Sequence, residues 1–161
     1  MQAGEQNEAR RCLASALAPV EKTHGPDHPL IGGAALALAV LECREGRLER
    51  ARVLLEQALR IHESQIARVG SITAALGSQN HVEALQSIGL VDESQRRWAQ
   101  APDHLGQARH LFLRGVGFHD PSVDYARVLR ATGRSAEAAQ VEASGKVDAQ
   151  GMRVPDAPGK R

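Results

Sequence analysis

Aromatic residues are scarce in this chain of 161 residues, which contains one tryptophan, one tyrosine and two phenylalanines. A hydrophobic core must therefore be filled by Ala, Leu, Val and Ile, and small residues at regular spacing suit closely packed helices. Cysteine is scarce as well, with only Cys12 and Cys43. Two cysteines are too few for a secreted disulfide scaffold, so we interpret them as packed thiols in a reducing compartment.

Neither sign of charge is in excess. Twenty Lys and Arg residues against nineteen Asp and Glu give a formal net charge of +1, which provides no long-range field for nucleic acid or an anionic membrane. No apolar run approaches the roughly eighteen residues of a membrane span, and residues 1–11 lack the apolar centre of a signal peptide. We therefore expect a cytoplasmic protein that binds neither nucleic acid nor membrane.

No arrangement of residues predicts catalysis or metal binding. His24 and His28 lie across a Gly-Pro pair, so they do not share a helix face as a zinc pair would. His104 and His110 fall on different faces of a helix, and the Gly-Val-Gly sequence that begins at Gly115 has no preceding strand. The sequence predicts a protein that is not an enzyme and has neither a metal nor another cofactor.

What the chain does contain is one pattern of small and aliphatic residues used twice. Within each copy the spacing is four, three and one, and the second copy follows the first by 42 residues at every position. This spacing places each set on one face of a helix. The first copy is Ala9, Leu13, Ala16 and Leu17, and the second is Ala51, Leu55, Ala58 and Leu59. The repetition predicts an array of helical hairpins.

The first helix is predicted from about Gln6 to about Thr23, after a frayed segment at residues 1–5, and it has no preceding partner helix. In the turn that follows, Gly25 can end this helix in the left-handed conformation and Asp27 can cap the next one. The chain therefore begins with half a repeat.

The best-defined hairpin consists of helices predicted at residues 30–45 and 48–66, joined at Gly46. The first of these helices is apolar nearly all round, so it should be well buried. Gly32 and Gly33 weaken its start, and a close approach of a neighbouring helix would explain them.

Residues 69–80 break the pattern and predict a long connection. The third hairpin then follows at an offset of 50 residues, with Gly89 where the second repeat has alanine and Arg96 in place of the turn glycine. Because Pro102 is unfavourable deep inside a helix, we start the second helix of this hairpin near Ala101.

A short fourth hairpin matches the second at an offset of 87 residues. The turn before it repeats the earlier turn chemistry, and a capping role explains His119 and Asp120 there. The repeat domain thus occupies residues 6–144, and residues 145–161 are predicted to be disordered because they lack apolar periodicity.

An alanine in the first helix, a turn glycine and Ala-x3-Leu-x2-Ala on the second helix resemble the tetratricopeptide repeat. The 42-residue spacing, with Gly-Pro-Asp-His-Pro before a first helix, resembles the longer variety found in kinesin light chains and in many bacterial signalling proteins. The resemblance implies an all-α, right-handed α-solenoid of antiparallel helix hairpins with about three and a half repeats. The chain departs from the family pattern because it lacks a large aromatic residue at the start of each first helix.

The resemblance also implies that the first helices of the hairpins line a concave groove. Counted from the turn glycine, the predicted partner-binding residues are Leu36, Val40, Arg44, Gln86, Leu90, Glu93, Val123, Arg127 and Arg130, and the same count adds Gly33, Cys43, Glu83, Ser94, Asp120 and Ala131. Such a groove suits a peptide whose apolar residues meet Leu36 and Val40 and whose acidic residue meets Arg127 or Arg130. A solvated face explains the two arginines equally well.

Two specialised grooves of the family do not fit these positions. The carboxylate clamp needs Lys, Asn and Arg, but Leu36 and Val40 occupy its first two positions. A ladder of asparagines is also missing, since Asn7 and Asn80 are the only asparagines and neither is a groove position.

The sequence therefore predicts a non-catalytic interaction module that binds a peptide or a partner subunit in the groove. One alternative is self-assembly, for example as a homodimer, through the open ends of the solenoid, with Leu13 or Leu17 of the unpartnered first helix in the contact. Another is a regulatory or sensor fragment of a larger bacterial signalling protein, which the half repeat at the start would fit.

Overall fold

The described part of the chain is all helical. A computed structural model describes residues 2–70, 78–117 and 119–144, and within these residues there are seven α-helices and no strand. The helices are α1 (Gln2–His24), α2 (Pro29–Arg44), α3 (Leu48–Val69), α4 (Ser78–Ser94), α5 (Ala101–Leu113), α6 (Ser122–Ala131) and α7 (Ser135–Ser144). None of them is both long and apolar enough to cross a membrane. The predicted all-α solenoid of hairpins is confirmed.

The helices pack in the order of the chain. Within the hairpins, α2 packs against α3, α4 against α5 and α6 against α7. Between successive hairpins, α3 contacts α4 and α5 contacts α6. α1 packs against α2 and completes the half repeat, while α2 also contacts α4 directly. This last contact places two first helices side by side, as the concave side of a solenoid requires.

The two copies of the repeated stripe are buried to very different extents. In α3, Ala51, Leu55 and Ala58 are fully buried at 0% exposure. In α1, Leu13 and Leu17 are only half-buried. The difference arises because α3 is enclosed by α2 and α4, whereas α1 packs mainly against α2.

A close approach of helices explains the glycine of the third hairpin. A Cβ atom added to Gly89 would lie 2.6 Å from Cγ of Leu105, so α4 and α5 are closer there than an alanine allows. The expectation for the start of α2 is confirmed at Gly32, where an added Cβ would lie 3.0 Å from Cε1 of His62 on α3.

The turn between α4 and α5 keeps the backbone shape of the other hairpins without their glycine. Gly46 has a φ of 72°, and Arg96, which replaces it in the third hairpin, has a φ of 56°. Both lie in the left-handed region, which normally favours glycine. α5 begins at Ala101, as predicted, and Pro102 sits in its first turn, where a missing N–H costs nothing.

The structure corrects several local predictions. α1 begins at Gln2, not at Gln6, because residues 2–5 include good helix formers. The N-cap of α2 is His28, not Asp27: the His28 Nδ1 accepts a hydrogen bond from the Leu30 N–H at 3.3 Å. Cys12 is exposed, not packed, because among the described helices α1 packs mainly against α2.

Two of the predictions concern residues that the structure does not describe. The predicted disordered tail, residues 145–161, lies outside the described residues, and so do residues 71–77 of the predicted long connection.

Two buried carboxylates join successive repeats at equivalent positions. Glu42 of α2 accepts a hydrogen bond from Nε of Arg10 in α1 at 3.2 Å. Asp92 of α4, which is fully buried, accepts one from Nε of Arg52 in α3 at 3.2 Å. Arg10 and Arg52 are 42 residues apart and Glu42 and Asp92 are 50 apart, which are the repeat offsets themselves. At the α5 to α6 junction, both positions are apolar and buried, as Pro102 and Leu129.

A candidate peptide-binding groove

An apolar pocket of about 310 Å³ lies between α2 and α4. Its walls come from the facing sides of these two helices, with a contribution from α3 behind them. The lining residues are Ala39, Val40, Cys43, Arg44, Leu48, Leu55, Ser87, Leu90, Val91 and Ser94. Most of this wall is aliphatic, and the polar side chains in it are Arg44 and two serines.

The pocket contains one thiol, and its surroundings lower the reactivity of that thiol at neutral pH. Burial raises the pKa of the Cys43 thiol, and the nearby charge of Glu42 raises it further. A thiol held in its neutral form behaves as a small apolar group and is a weak nucleophile at neutral pH. Within residues 2–70, 78–117 and 119–144, there is also no group of three or more His, Cys, Asp or Glu residues that could hold a metal ion.

A smaller and more polar pocket lies further along α4. Its volume is about 90 Å³, and it is lined by Gln79, Asn80, Val82, Glu83, Gln86, Gly117 and His119. Glu83 precedes Leu90 by seven residues, or two helical turns, so both residues lie on the same face of α4. At a rise of 1.5 Å per residue, about 10 Å of helix separates them.

Arg127 of α6 is held by acids of this same protein. Its Nε and Nη2 donate to the two carboxylate oxygens of Glu93 on α4, each at 2.7 Å, and its Nη2 also lies 3.0 Å from Oδ1 of Asp124. The hydrogen bond to Glu93 is the main cause that raises the Arg127 pKa. Asp124 also accepts a hydrogen bond from Nε2 of Gln86 at 3.2 Å. This network ties α6 to α4.

Six of the nine predicted partner-binding residues fall into three groups. Val40, Arg44 and Leu90 come together at the apolar pocket, and Gln86 lines the small polar pocket. Glu93 and Arg127 pair with each other.

The remaining three predicted residues line neither pocket. Leu36 is only 5% exposed and belongs to the core, so it offers almost no surface to a partner. Arg130 donates to Glu142 of α7 at 2.6 Å. Val123 is 75% exposed on α6.

Counting from the turn glycine misses part of the site. Ser87 lies four residues after Glu83 and three before Leu90, so helical periodicity alone could have placed it on this face of α4. Leu48 and His119 lie at the start of α3 and in the turn before α6, where no periodic pattern points to them.

The fold of the described residues is that of a helical-repeat protein, in which successive helix hairpins pack side by side. Residues 1–64 match the tetratricopeptide repeat family model. The structure of BtubC (BKLC) from P. vanneervenii superposes with a TM-score of 0.64 at 14% sequence identity. The match covers 98% of this chain and 63% of that chain. Comparison with curated proteins gives no significant match. The tetratricopeptide resemblance found in the sequence is thereby confirmed.

Proposed function

We propose that this protein is a non-catalytic interaction module that binds a peptide segment in the groove between α2, α4 and α6. The observation that carries the proposal is the apolar pocket of about 310 Å³ between two first helices. Tetratricopeptide repeats generally mediate protein interactions. An apolar side chain of the peptide fills this pocket, and Arg44 at its edge meets a carboxylate.

The test compares two identical substitutions. Val40 lies in the pocket, whereas Val53 is 64% exposed on α3 and lines a separate pocket with Glu49 and Arg50. Peptides are selected on the wild-type protein from a random twelve-residue phage library, and their dissociation constants are measured by fluorescence anisotropy. We expect Val40→Glu to weaken binding at least tenfold, because it places a charge in an apolar pocket, and Val53→Glu to leave it unchanged. Circular dichroism checks that both variants remain helical. Equal binding by all three proteins would refute the proposal that the peptide binds in this groove.

The two cysteines provide a second readout without mutation. Cys43 lines the pocket and Cys12 is exposed on α1. A bound peptide should slow the alkylation of Cys43 by N-ethylmaleimide and leave the rate at Cys12 unchanged, so Cys12 serves as the internal control. Protection of both thiols, or of neither, would argue against a peptide in the pocket.

One observation favours self-assembly as a second candidate function. The stripe that is fully buried in α3 is half exposed in α1, and a second copy of the chain could cover Leu13 and Leu17. Light scattering over a wide concentration range tests this candidate. A dimer that dissociates when both leucines are changed to glutamate supports it, and a monomer at millimolar concentration contradicts it.

A further inference from the structure

We propose that the peptide bound in this groove carries a lysine or arginine three residues from its apolar anchor. The anchor fills the pocket between α2 and α4, and the basic side chain enters the small pocket beside Glu83. This inference rests on the proposed function, and it names the chemical class of the partner.

The charged side chains that α4 and α6 bring to the groove favour a cation beside Glu83. Glu83, Glu93 and Asp124 supply three carboxylates, and Arg127 supplies one guanidinium that already lies between the latter two. Glu93, Asp124 and Arg127 together carry −1 at neutral pH, and Glu83, about 15 Å along α4 from Glu93, adds a separate negative charge in the small pocket. Glu83 is exposed, and no cation among the described residues pairs with it. An acidic partner residue at Arg127, which the sequence suggested, would face this negative excess.

The small pocket has the acceptors that a basic side chain needs. The Glu83 carboxylate and the amide side chains of Asn80 and Gln86 line it, together with the imidazole of His119. Because Nε2 of Gln86 already donates to Asp124, its amide oxygen remains available to accept. A lysine ammonium has three donors and no acceptor. The volume of about 90 Å³ corresponds to roughly three water molecules, which suits the end of one such side chain.

The distance between the pockets sets the spacing in the peptide. About 10 Å of α4 separates Glu83 from Leu90. A peptide in the polyproline II conformation turns once in three residues and rises about 3.1 Å per residue, so side chains three apart lie on the same side about 9 Å apart. The spacing apolar-x-x-basic, in either chain direction, therefore matches the two pockets.

The experiment extends the library selection to Glu83→Gln and to a matched control, Glu63→Gln, which removes an exposed carboxylate from α3. We expect peptides selected on the wild type and on the control to share an apolar residue and a Lys or Arg three positions away. The Glu83→Gln protein should still select the apolar residue but no basic one.

A double-mutant cycle on one selected peptide then measures the contact. Replacing the peptide's basic residue with Gln should weaken binding to the wild type about fivefold, as expected for a partly exposed ion pair, and should change binding to Glu83→Gln by less than twofold. Glu83→Lys should instead prefer a peptide with Glu at that position.

The outcomes separate this inference from the proposed function. If the selected peptides depend on Val40 but carry no basic residue, or bind Glu83→Gln as tightly as the wild type, the groove stands and the inference is overturned. If binding does not depend on Val40, the proposed function itself fails and the inference fails with it.

Discussion

Among the described glycines, Gly89 leaves the least room for an added Cβ atom. An alanine would gain up to about 1 kcal/mol in helix propensity, but its Cβ would lie 2.6 Å from Cγ of the fully buried Leu105. Since Cγ is near the backbone, Leu105 cannot simply turn away, and overpacking costs about 1 to 3 kcal/mol.

We therefore predict that Gly89→Ala lowers the free energy of unfolding by about 1 to 2 kcal/mol in urea denaturation. Gly4→Ala is the control, because nothing lies within 4 Å of an added Cβ there, and it should be neutral or slightly stabilising. A stabilising Gly89→Ala would show that the helices are free to separate.

Two buried histidines make the stability sensitive to pH. His62 is 1% exposed and His81 is 6% exposed, and within the described residues both ring nitrogens of His62 and Nδ1 of His81 make no hydrogen bond. Burial lowers the pKa of His62. Burial, and then the neighbouring His62, lower the pKa of His81 to about 4. The folded protein therefore holds both rings in the neutral form.

As the pH falls from about 6.5 towards 4, these histidines become protonated in the unfolded chain, whereas in the folded protein they stay neutral. Stability is thus fully present above pH 6.5 and falls through this window, by up to about 1.4 kcal/mol per pH unit for each histidine. We predict that His81→Leu shows a shallower loss between pH 7 and pH 5 in urea denaturation. His110→Gln, an exposed control, should follow the wild type, and an unchanged slope in His81→Leu would contradict the assignment.

At the scale of the helix, the acid and arginine pairs hold successive repeats in register. Asp92 is fully buried, accepts from Arg52, and also lies 2.9 Å from Nδ1 of His104 on α5. Removing one partner of such a pair leaves a buried charge without its counter-ion. The α5 to α6 junction has apolar residues at both positions, Pro102 and Leu129. Two apolar residues at this junction, in place of an ion pair, are therefore compatible with the fold.

We predict that Arg52→Met destabilises the protein by about 3 kcal/mol, whereas the double variant Arg52→Met with Asp92→Leu loses less than about 1 kcal/mol. Urea denaturation of the wild type, the two single variants and the double variant gives the coupling energy. Additive losses in the double variant would show that the pair does not act as a unit.

The helices were predictable from the sequence to the extent that their pattern repeats. The 42-residue spacing predicted α2 and α3. The start of α5 at Ala101 was predicted because Pro102 is unfavourable deep inside a helix. The candidate site was less predictable. Counting residues from the turn glycine specifies where a residue lies on its helix, but not which residues of other helices contact it. Leu36 lies in the core and Arg127 pairs with Glu93. Both facts depend on contacts between helices that are far apart in the sequence.

At the scale of the molecule, the core is not continuous. The largest cluster of buried apolar residues runs from Ala35 to Val116 through α2, α3, α4 and α5. A separate cluster of four residues holds α6 to α7. The two are bridged by a small group, in which Val128 of α6 meets Ala101 and Leu105 of α5. In a linear array, stability depends on each hairpin and its immediate interface.

We therefore predict that α6 and α7 open before the rest of the domain. In native-state hydrogen exchange followed by mass spectrometry, peptides from residues 122–144 should exchange at least about tenfold faster than those from residues 78–113, which corresponds to a local stability lower by about 1.4 kcal/mol. Equal protection across both regions would mean that the described helices unfold as one cooperative unit.

The apolar seam between α5 and α6 also determines how interchangeable the parts of this protein are. A first helix placed after α3 must bring a carboxylate to the position of Asp92, because the Arg52 guanidinium on α3 would otherwise lose this hydrogen-bond acceptor. A first helix placed after α5 needs only an aliphatic side chain at the position of Leu129. A hairpin grafted from another helical array would need fewer compensating changes at the second seam, which makes it the natural place to shorten, extend or exchange this scaffold.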